Sequence, residues 1–406
     1  MGQKTLAPAL ARHALEIVAE CGTKAAACRK HNIAPSTLDA RLRAAKRMGI
    51  TLEDGPEAPP EAQLEQMDEV VRKLRAELTK AQSDEVTRAA VRKYIFDLKD
   101  EKAAPPKWMV KPGRGENTGV PTLFLSDLHW GEVVTPSAIS HSNEFNLDIA
   151  HVRMRRTVET CIDLLKCKLA GAEYPGIVLA LGGDMISGDI HEELSRTNAA
   201  PTLPTILDLL GVLMWVIDTL ADEFGNVYLP CVTGNHGRNT RKPIAKERNE
   251  TNFDWLIYRF LHLHFKDDKR IQFNIPDGPD CHYRIFSHRY CLTHGDQFRG
   301  GNGIAGPLMT IVRGRHKKIS RDAGIGEDWD TLIMGHWHQL IMLQSLIVNG
   351  SMKGYDEYAY QNNFEFQPPN QACWITHPDH GITFQMPIYC DEGKPRAETS
   401  WVSWAQ

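Results

Sequence analysis

"TLFLSDLHWGE" (Thr122–Glu132) starts as an apolar, partly β-branched run and breaks at Ser126-Asp127, with His129 two positions on. A single strand that ends in a carboxylate and an imidazole says little. The same ending recurs four more times. "GIVLALGGD" ends in Asp184, "VYLPCVTGNH" in Asn235-His236, "RYCLTHGD" carries His294 and "TLIMGHWH" ends in His336 and His338. Strands alternating with helical stretches from Trp108 onward predict an α/β domain, and in open α/β sheets ligands gather at the carboxyl ends of strands. Five apolar runs therefore deliver Asp127, His129, Asp184, Asn235, His236, His294, His336 and His338 to what reads as one rim. Glycines at 183, 234, 295 and 335 are expected to let the chain turn there.

The residue types fit a purpose. Hard oxygen donors mixed with imidazoles suit borderline divalent ions such as Mn, Fe or Zn. Two ions a few ångström apart need a shared anionic ligand, the usual role of an Asp.

The series Asp127-x-His129, Gly183-Asp184, Gly234-Asn235-His236, His294 and Gly335-His336-x-His338 resembles the calcineurin-like metallophosphoesterase superfamily, over about 210 residues. The resemblance implies a two-sheet sandwich flanked by helices, with two divalent metal ions at the strand ends. Mn²⁺ is the first choice, with Fe, Zn or Mg as alternatives. By position, Asp127, His129, Asp184 and His338 would hold one ion. Asp184, Asn235, His294 and His336 would hold the other, with Asp184 shared. The implied reaction is phosphoester hydrolysis by metal-activated hydroxide, with His236 as proton donor and Arg238 as its catalytic neighbour. Two departures touch His236: Gly237 and Ser187 stand where many members have acids, and Asp189 is the candidate replacement that orients it.

The net charge of −4 hides an asymmetry. Residues 1–50 carry nine Lys and Arg against three Asp and Glu, a net +6, which leaves −10 for the rest. That segment predicts helices over Leu6–Glu20 and Thr23–His31 and a basic third helix capped by Ser36 or Thr37. "GTKAAACRKHNIAPSTLDARL" resembles bacterial and phage helix-turn-helix domains, a resemblance that implies for 1–50 a DNA-binding module with Arg41, Arg43, Lys46 and Arg47 as its contacts. The alternative is a basic hairpin that docks on protein. Residues 51–106 read as an acidic, Pro-rich linker and a long helix. Its seam, Leu64, Met67, Val71, Leu74, Leu78 and Ala81, would pair copies as a coiled coil or pack on its own domain. The resemblance implies a metallophosphoesterase domain over residues 107–390, and 391–406 read as an irregular tail.

Arg241 and Lys242, together with Arg313, Arg315, Lys317, Lys318 and Arg321 of "RGRHKKISR", are the candidate substrate-binding cations. The glycines of "GGNGIAG" match a dinucleotide fingerprint without its strand-to-glycine turn, so that reading is rejected. "LHLH" (Leu261–His264) is read as an amphipathic helix. No apolar run approaches a membrane span, nine scattered cysteines read as reduced thiols, and the expected location is cytoplasmic. The favoured function is a DNA phosphodiesterase or nuclease. The alternative is a phosphomonoesterase or cyclic-nucleotide phosphodiesterase with a protein-docking amino-terminal module.

Overall fold

The computed structural model describes residues 8–31, 33–48, 105–110, 119–169, 173–298 and 306–392. The chain divides into two compact units, residues 1–101 and 102–406, each described by itself.

Three helices make the described part of the first unit: α1 (Pro8–Cys21), α2 (Lys24–Lys30) and α3 (Pro35–Met48). Thr23 caps α2 as expected, its side chain accepting the Ala26 N–H at 3.2 Å. The expected Ser36 or Thr37 cap on α3 is corrected. The helix begins at Pro35, whose missing N–H costs nothing in a first turn, and the Ala34 carbonyl accepts the Leu38 N–H. Ala14, Ile17, Ala27 and Leu38 form a small core, with Leu42 packed against it. Arg41 is half-buried and Arg43 and Lys46 are exposed on α3, while the side chain of Arg47 lies outside the described residues. So do the linker and the 64–81 seam.

The second unit begins with a short α4 (Lys107–Val110) and holds two sheets. The first has the order β11-β10-β1-β2-β3-β4 and the second β5-β6-β7-β9-β8. In the first, β1 (Val120–Leu125), β2 (Ile177–Leu181), β3 (Val227–Pro230) and β4 (Ile271–Asn274) run parallel. There β10 (Asn370–His377) lies antiparallel to β1, and β11 (Gly381–Tyr389) antiparallel to β10. The second sheet centres on parallel β6 (His288–Thr293), β7 (Thr331–Met334) and β9 (Leu346–Val348). Antiparallel β5 (Asp280–Ile285) and β8 (Ile341–Leu343) form its edges.

Strand periodicity builds the layers. Phe124, Val178, Ala180 and Trp374 from the first sheet share one buried cluster with Tyr283, Tyr290, Leu292, Ile333 and Ile347 from the second. Leu123, Leu125, Leu179 and Leu181 point the other way, onto helices α5 (Leu147–Ile162), α7 (Thr202–Phe224) and α8 (Phe253–His264). A short α6 (Glu192–Thr197) precedes α7. On the far face of the second sheet, Leu332, Met334 and Val348 meet Ile311 of α9 (Gly306–Gly324). The expected two-sheet sandwich flanked by helices is therefore present, in helix–sheet–sheet–helix order.

"RGRHKKISR" is helical and lies within α9, and "LHLH" ends α8 as a helix, as read. One expectation changes. By length and composition α7 is apolar enough to cross a membrane, with a mean hydropathy of 1.7, contrary to the reading that no run approaches a span. Its Leu209, Leu213, Val216, Ile217 and Leu220 are buried in the core. The tail is tied down at its start, where Asp391 forms an ion pair with buried Arg153 at 2.7 Å. Residues 393–406 and the glycines at 301 and 303 lie outside the described residues.

Candidate metal centre

Strands β1, β2 and β3 are neighbours in one sheet, and β6 and β7 in the other, so their carboxyl ends meet along one edge of the sandwich. The loops after β1 and β2 run side by side, the Asp127 N–H donating to the Gly183 carbonyl and the His129 N–H to that of Asp184. Three triads result, each with ligand atoms within 4.8 Å of one another: Asp127/His129/His338, His129/Asp184/His236 and Asp184/His294/His336. His129 and Asp184 link them.

Local geometry is specialised. Among the described residues ten non-glycines have positive φ, and five are Asp127 (52°), His129 (46°), Asp184 (52°), His336 (70°) and His338 (52°). Left-handed backbone costs an L-residue about 1–3 kcal/mol, and it clusters where surrounding structure enforces it for function. Gly234 and Gly335 serve space rather than turning. A Cβ at Gly335 would stand 2.2 Å from Asp127 Oδ2, and one at Gly234 2.1 Å from Asp184 Oδ1. Gly183 and Gly295 do have positive φ, as expected for turns.

The donor set fits divalent cations. His129 Nε2 and His338 Nε2 face each other at 3.0 Å, and burial, aided by the Lys353 charge, holds His129 well below the usual histidine range. His294 Nδ1 lies 2.8 Å from the Gly182 carbonyl, which fixes an N–H there and aims Nε2 at Asp184 Oδ2 (3.0 Å) and Asn235 Oδ1 (3.2 Å), the side from which it would bind an ion once deprotonated. Burial opposes charge on His294, yet Asp184 outweighs it and raises the imidazole to about 10. A bound cation would feel the same field. His336, pushed down to about 4 mainly by burial, stays a neutral donor.

No protein-family model and no curated protein matches the chain. Among solved structures, it is similar to Vacuolar Protein Sorting 29 from Cryptosporidium parvum, at 13% identity and a TM-score of 0.27, over 67% of this chain and 98% of that one. A predicted phosphoesterase from Streptococcus pneumoniae aligns at 11% identity and 0.24, over 66% and 97%. Vps29 from Entamoeba histolytica aligns at 12% and 0.24, over 66% and 98%. Likeness at these scores carries no argument, and the centre stands on its own geometry.

His236 joins the cluster, its ring 4.6 Å from that of His129. Its backbone N–H donates to Asp184 Oδ1 at 2.7 Å, and Nδ1 lies 2.9 Å from the Ser187 carbonyl. That carbonyl orients the ring, and Asp189 is exposed. Burial lowers the His236 pKa, against the pull of Asp184.

The candidate cations do not converge here. A cavity of about 570 Å³ is lined by His129, Asp184, Asn235, His236, His336 and His338. None of Arg238, Arg241, Lys242, Arg313, Arg315, Lys317, Lys318 or Arg321 is among its lining residues. Arg238 holds its own loop, donating to the carbonyls of Asn235 and Thr240. Lys318 (2.5 Å) and Arg321 (2.6 Å) both pair with Asp280, and Arg315 donates to the Ser345 carbonyl at 3.0 Å. Arg313 and Lys317 are exposed beside a second cavity of about 300 Å³.

Four supporting groups escaped the sequence reading. Asp254, fully buried at the start of α8, accepts the N–H groups of Asp184 (3.0 Å), Gly234 (2.8 Å) and Met185 (3.2 Å). Burial and the nearby Asp184 push its carboxyl up to about 7. Gly237 is small for the same reason, because a Cβ there would stand 2.4 Å from Asn252 Oδ1 and 2.8 Å from Asp254 Oδ1. Glu132 Oε2 lies 3.4 Å from His129 Nδ1, and Lys353 bridges Glu132 (2.8 Å) to Asp356 (2.5 Å). Only Glu132 carried a signal, its place in the opening stretch.

Proposed function

We propose that the chain is a dinuclear, divalent-metal-dependent phosphoester hydrolase of the calcineurin-like kind, acting on phosphodiesters of DNA. The observation that carries the reading is the set of ligand triads sharing His129 and Asp184 at the ends of five strands from two sheets. Asp127, His129, Asp184 and His338 would hold one ion, and Asp184, Asn235, His294 and His336 the other. Bound divalent ions supply Lewis acidity, which polarises a phosphoryl oxygen and makes water a stronger nucleophile.

The protein's own groups do the rest. Asp184 ties the two halves together, while Asp254 fixes its backbone from behind. Glu132, held by Lys353 and Ser187, steadies His129. His236 gives its Nδ1–H to the Ser187 carbonyl, which leaves Nε2 to pass a proton to the leaving oxygen as the P–O bond breaks.

DNA is favoured by the basic α3, whose Arg41, Arg43, Lys46 and Arg47 follow a helix–turn–helix pattern, and by the exposed Arg241, Lys242, Arg313 and Lys317. A second reading, hydrolysis of a phosphomonoester or cyclic nucleotide, is favoured by the same lining that lacks those cations and carries Glu193 and Glu365 instead. One assay separates them: purified protein with Mn²⁺ on labelled single- and double-stranded DNA, beside p-nitrophenyl mono- and diesters. Cleavage of DNA supports the first reading, cleavage of the small mono- or diesters without DNA the second, and no hydrolysis of any ester overturns both.

A further inference from the structure

The metal cavity does not close at the ligands. Its wall continues onto the segment that follows Lys353, where Tyr355, Tyr358 and Phe364 line the same space as His129 and His338. Tyr358 lies in α10 (Glu357–Gln361) and is 66% exposed, and Phe364 is 47% exposed. Their rings meet edge to face at 5.8 Å and 82°. A lone exposed aromatic needs no explanation, but a contiguous pair at the mouth of a cavity marks an interaction site, and these two open onto the cavity lined by the candidate centre.

The segment is built to hold them in place. Asp356 caps α10 by accepting the Ala359 N–H at 2.7 Å. The Tyr355 hydroxyl donates to the Phe364 carbonyl at 2.9 Å, which clamps the start of the segment to its far side. Asp356 also ends the Glu132–Lys353–Asp356 chain that begins at His129. The aromatic wall is thus tied to a candidate ligand through buried charges.

We propose that Tyr358 and Phe364 form a nucleobase subsite, so that the substrate is a nucleotidyl phosphoester with its phosphate at the metal ligands and its base on these rings. This deepens the hydrolase reading and rests on it. A flat, polar ring suits the rim: two perpendicular aromatic faces offer one stacking surface and one edge contact, and stacking tolerates any base. Glu193 and Glu365 line the cavity too, so these rings would take the base, and the further phosphates of a strand would lie outside it.

The test is equilibrium binding by calorimetry, to the Mn²⁺-loaded full chain, of adenosine 5′-monophosphate, ribose 5-phosphate, hexyl phosphate and a short oligothymidylate. The unaltered protein should prefer adenosine 5′-monophosphate over ribose 5-phosphate by about 5- to 150-fold, the usual worth of one stacked base. Tyr358→Ala with Phe364→Ala should erase that preference and leave ribose 5-phosphate binding unchanged, whereas Tyr358→Phe with Phe364→Tyr should keep it. Tighter binding of the oligothymidylate than of the mononucleotide would make the source a strand, and the reverse a free nucleotide; either supports the subsite. Equal binding of hexyl phosphate and the nucleotide, an undiminished preference in the double alanine variant, or no preference at the start overturns it. Hydrolysis of methyl p-nitrophenyl phosphate by the same variant keeps the two claims apart. If hydrolysis persists while the preference is insensitive to the variant, the subsite fails alone. If the preference follows the rings while no ester is cleaved, the hydrolase reading fails alone.

Discussion

The Nε2 atoms of His129 and His338 lie 3.0 Å apart, with their rings at 74° to one another. Two imidazole nitrogens at that separation either share one proton or point their lone pairs at a common cation. His338 belongs to the Asp127 triad alone. His338→Ala should therefore lose about one equivalent of metal and keep the other. Elemental analysis after dialysis would check this, and retention of both ions would remove His338 from the centre.

Asp254 touches no candidate ligand side chain, yet three buried N–H groups of the ligand loops depend on it. Asp254→Ala strands them, and each unsatisfied group costs about 1–3 kcal/mol. The expected outcome is a loss of at least about 3 kcal/mol in denaturant unfolding and metal binding weaker by about 10- to 100-fold, the range for outer supports of a metal site. A variant with unaltered unfolding and metal affinity contradicts this role.

The division between what sequence exposed and what it hid follows from chemistry. Asp127, Asp184, His294 and His336 stand out because each follows an apolar strand, where a polar residue is conspicuous. Asp254 looks like an ordinary acid in the first turn of a helix, and its true partners, 20 to 70 positions earlier in the chain, reach it only because β2 and β3 pack on α8. The Ser187 carbonyl has no side-chain signature at all. Lys318 and Arg321 look like free cations in sequence because their partner, Asp280, sits on an edge strand 38 and 41 positions away.

The Lys353 pair gives a pH signature. Burial raises the Asp356 carboxyl, but Lys353 outweighs it and holds it at about 2, below its unfolded value. The stabilisation it brings is therefore full above about pH 4 and lost as pH falls through about 2. Lys353 is shifted upward by Asp356 and Glu132 against burial, so its contribution is full below its ordinary range and lost only in strong alkali. Both ions persist at neutral pH. Lys353→Met should leave two buried carboxylates facing each other, cost about 3–5 kcal/mol at pH 7, and flatten the acid limb of the stability curve between about pH 4 and 2. An unchanged acid limb in urea titrations would rule out the pair as its source.

His236→Ala should keep both metals and lose about 10²- to 10⁴-fold in rate on esters with poor leaving groups, and less on good ones. Because burial lowers the His236 pKa, the protonated ring becomes scarcer as pH rises. Turnover of poor leaving groups should fall on the alkaline side in the unaltered enzyme, and that limb should vanish in the variant. Equal losses across leaving groups would point to a structural role.

The central claim is a shared two-ion centre, and counting ions tests it most directly. Titration of the stripped full chain with Mn²⁺, followed by calorimetry and confirmed by elemental analysis, should give two equivalents per chain, with Asp184→Asn losing at least one. A chain that binds no divalent ion, or an Asp184→Asn variant that still binds two, would contradict the account.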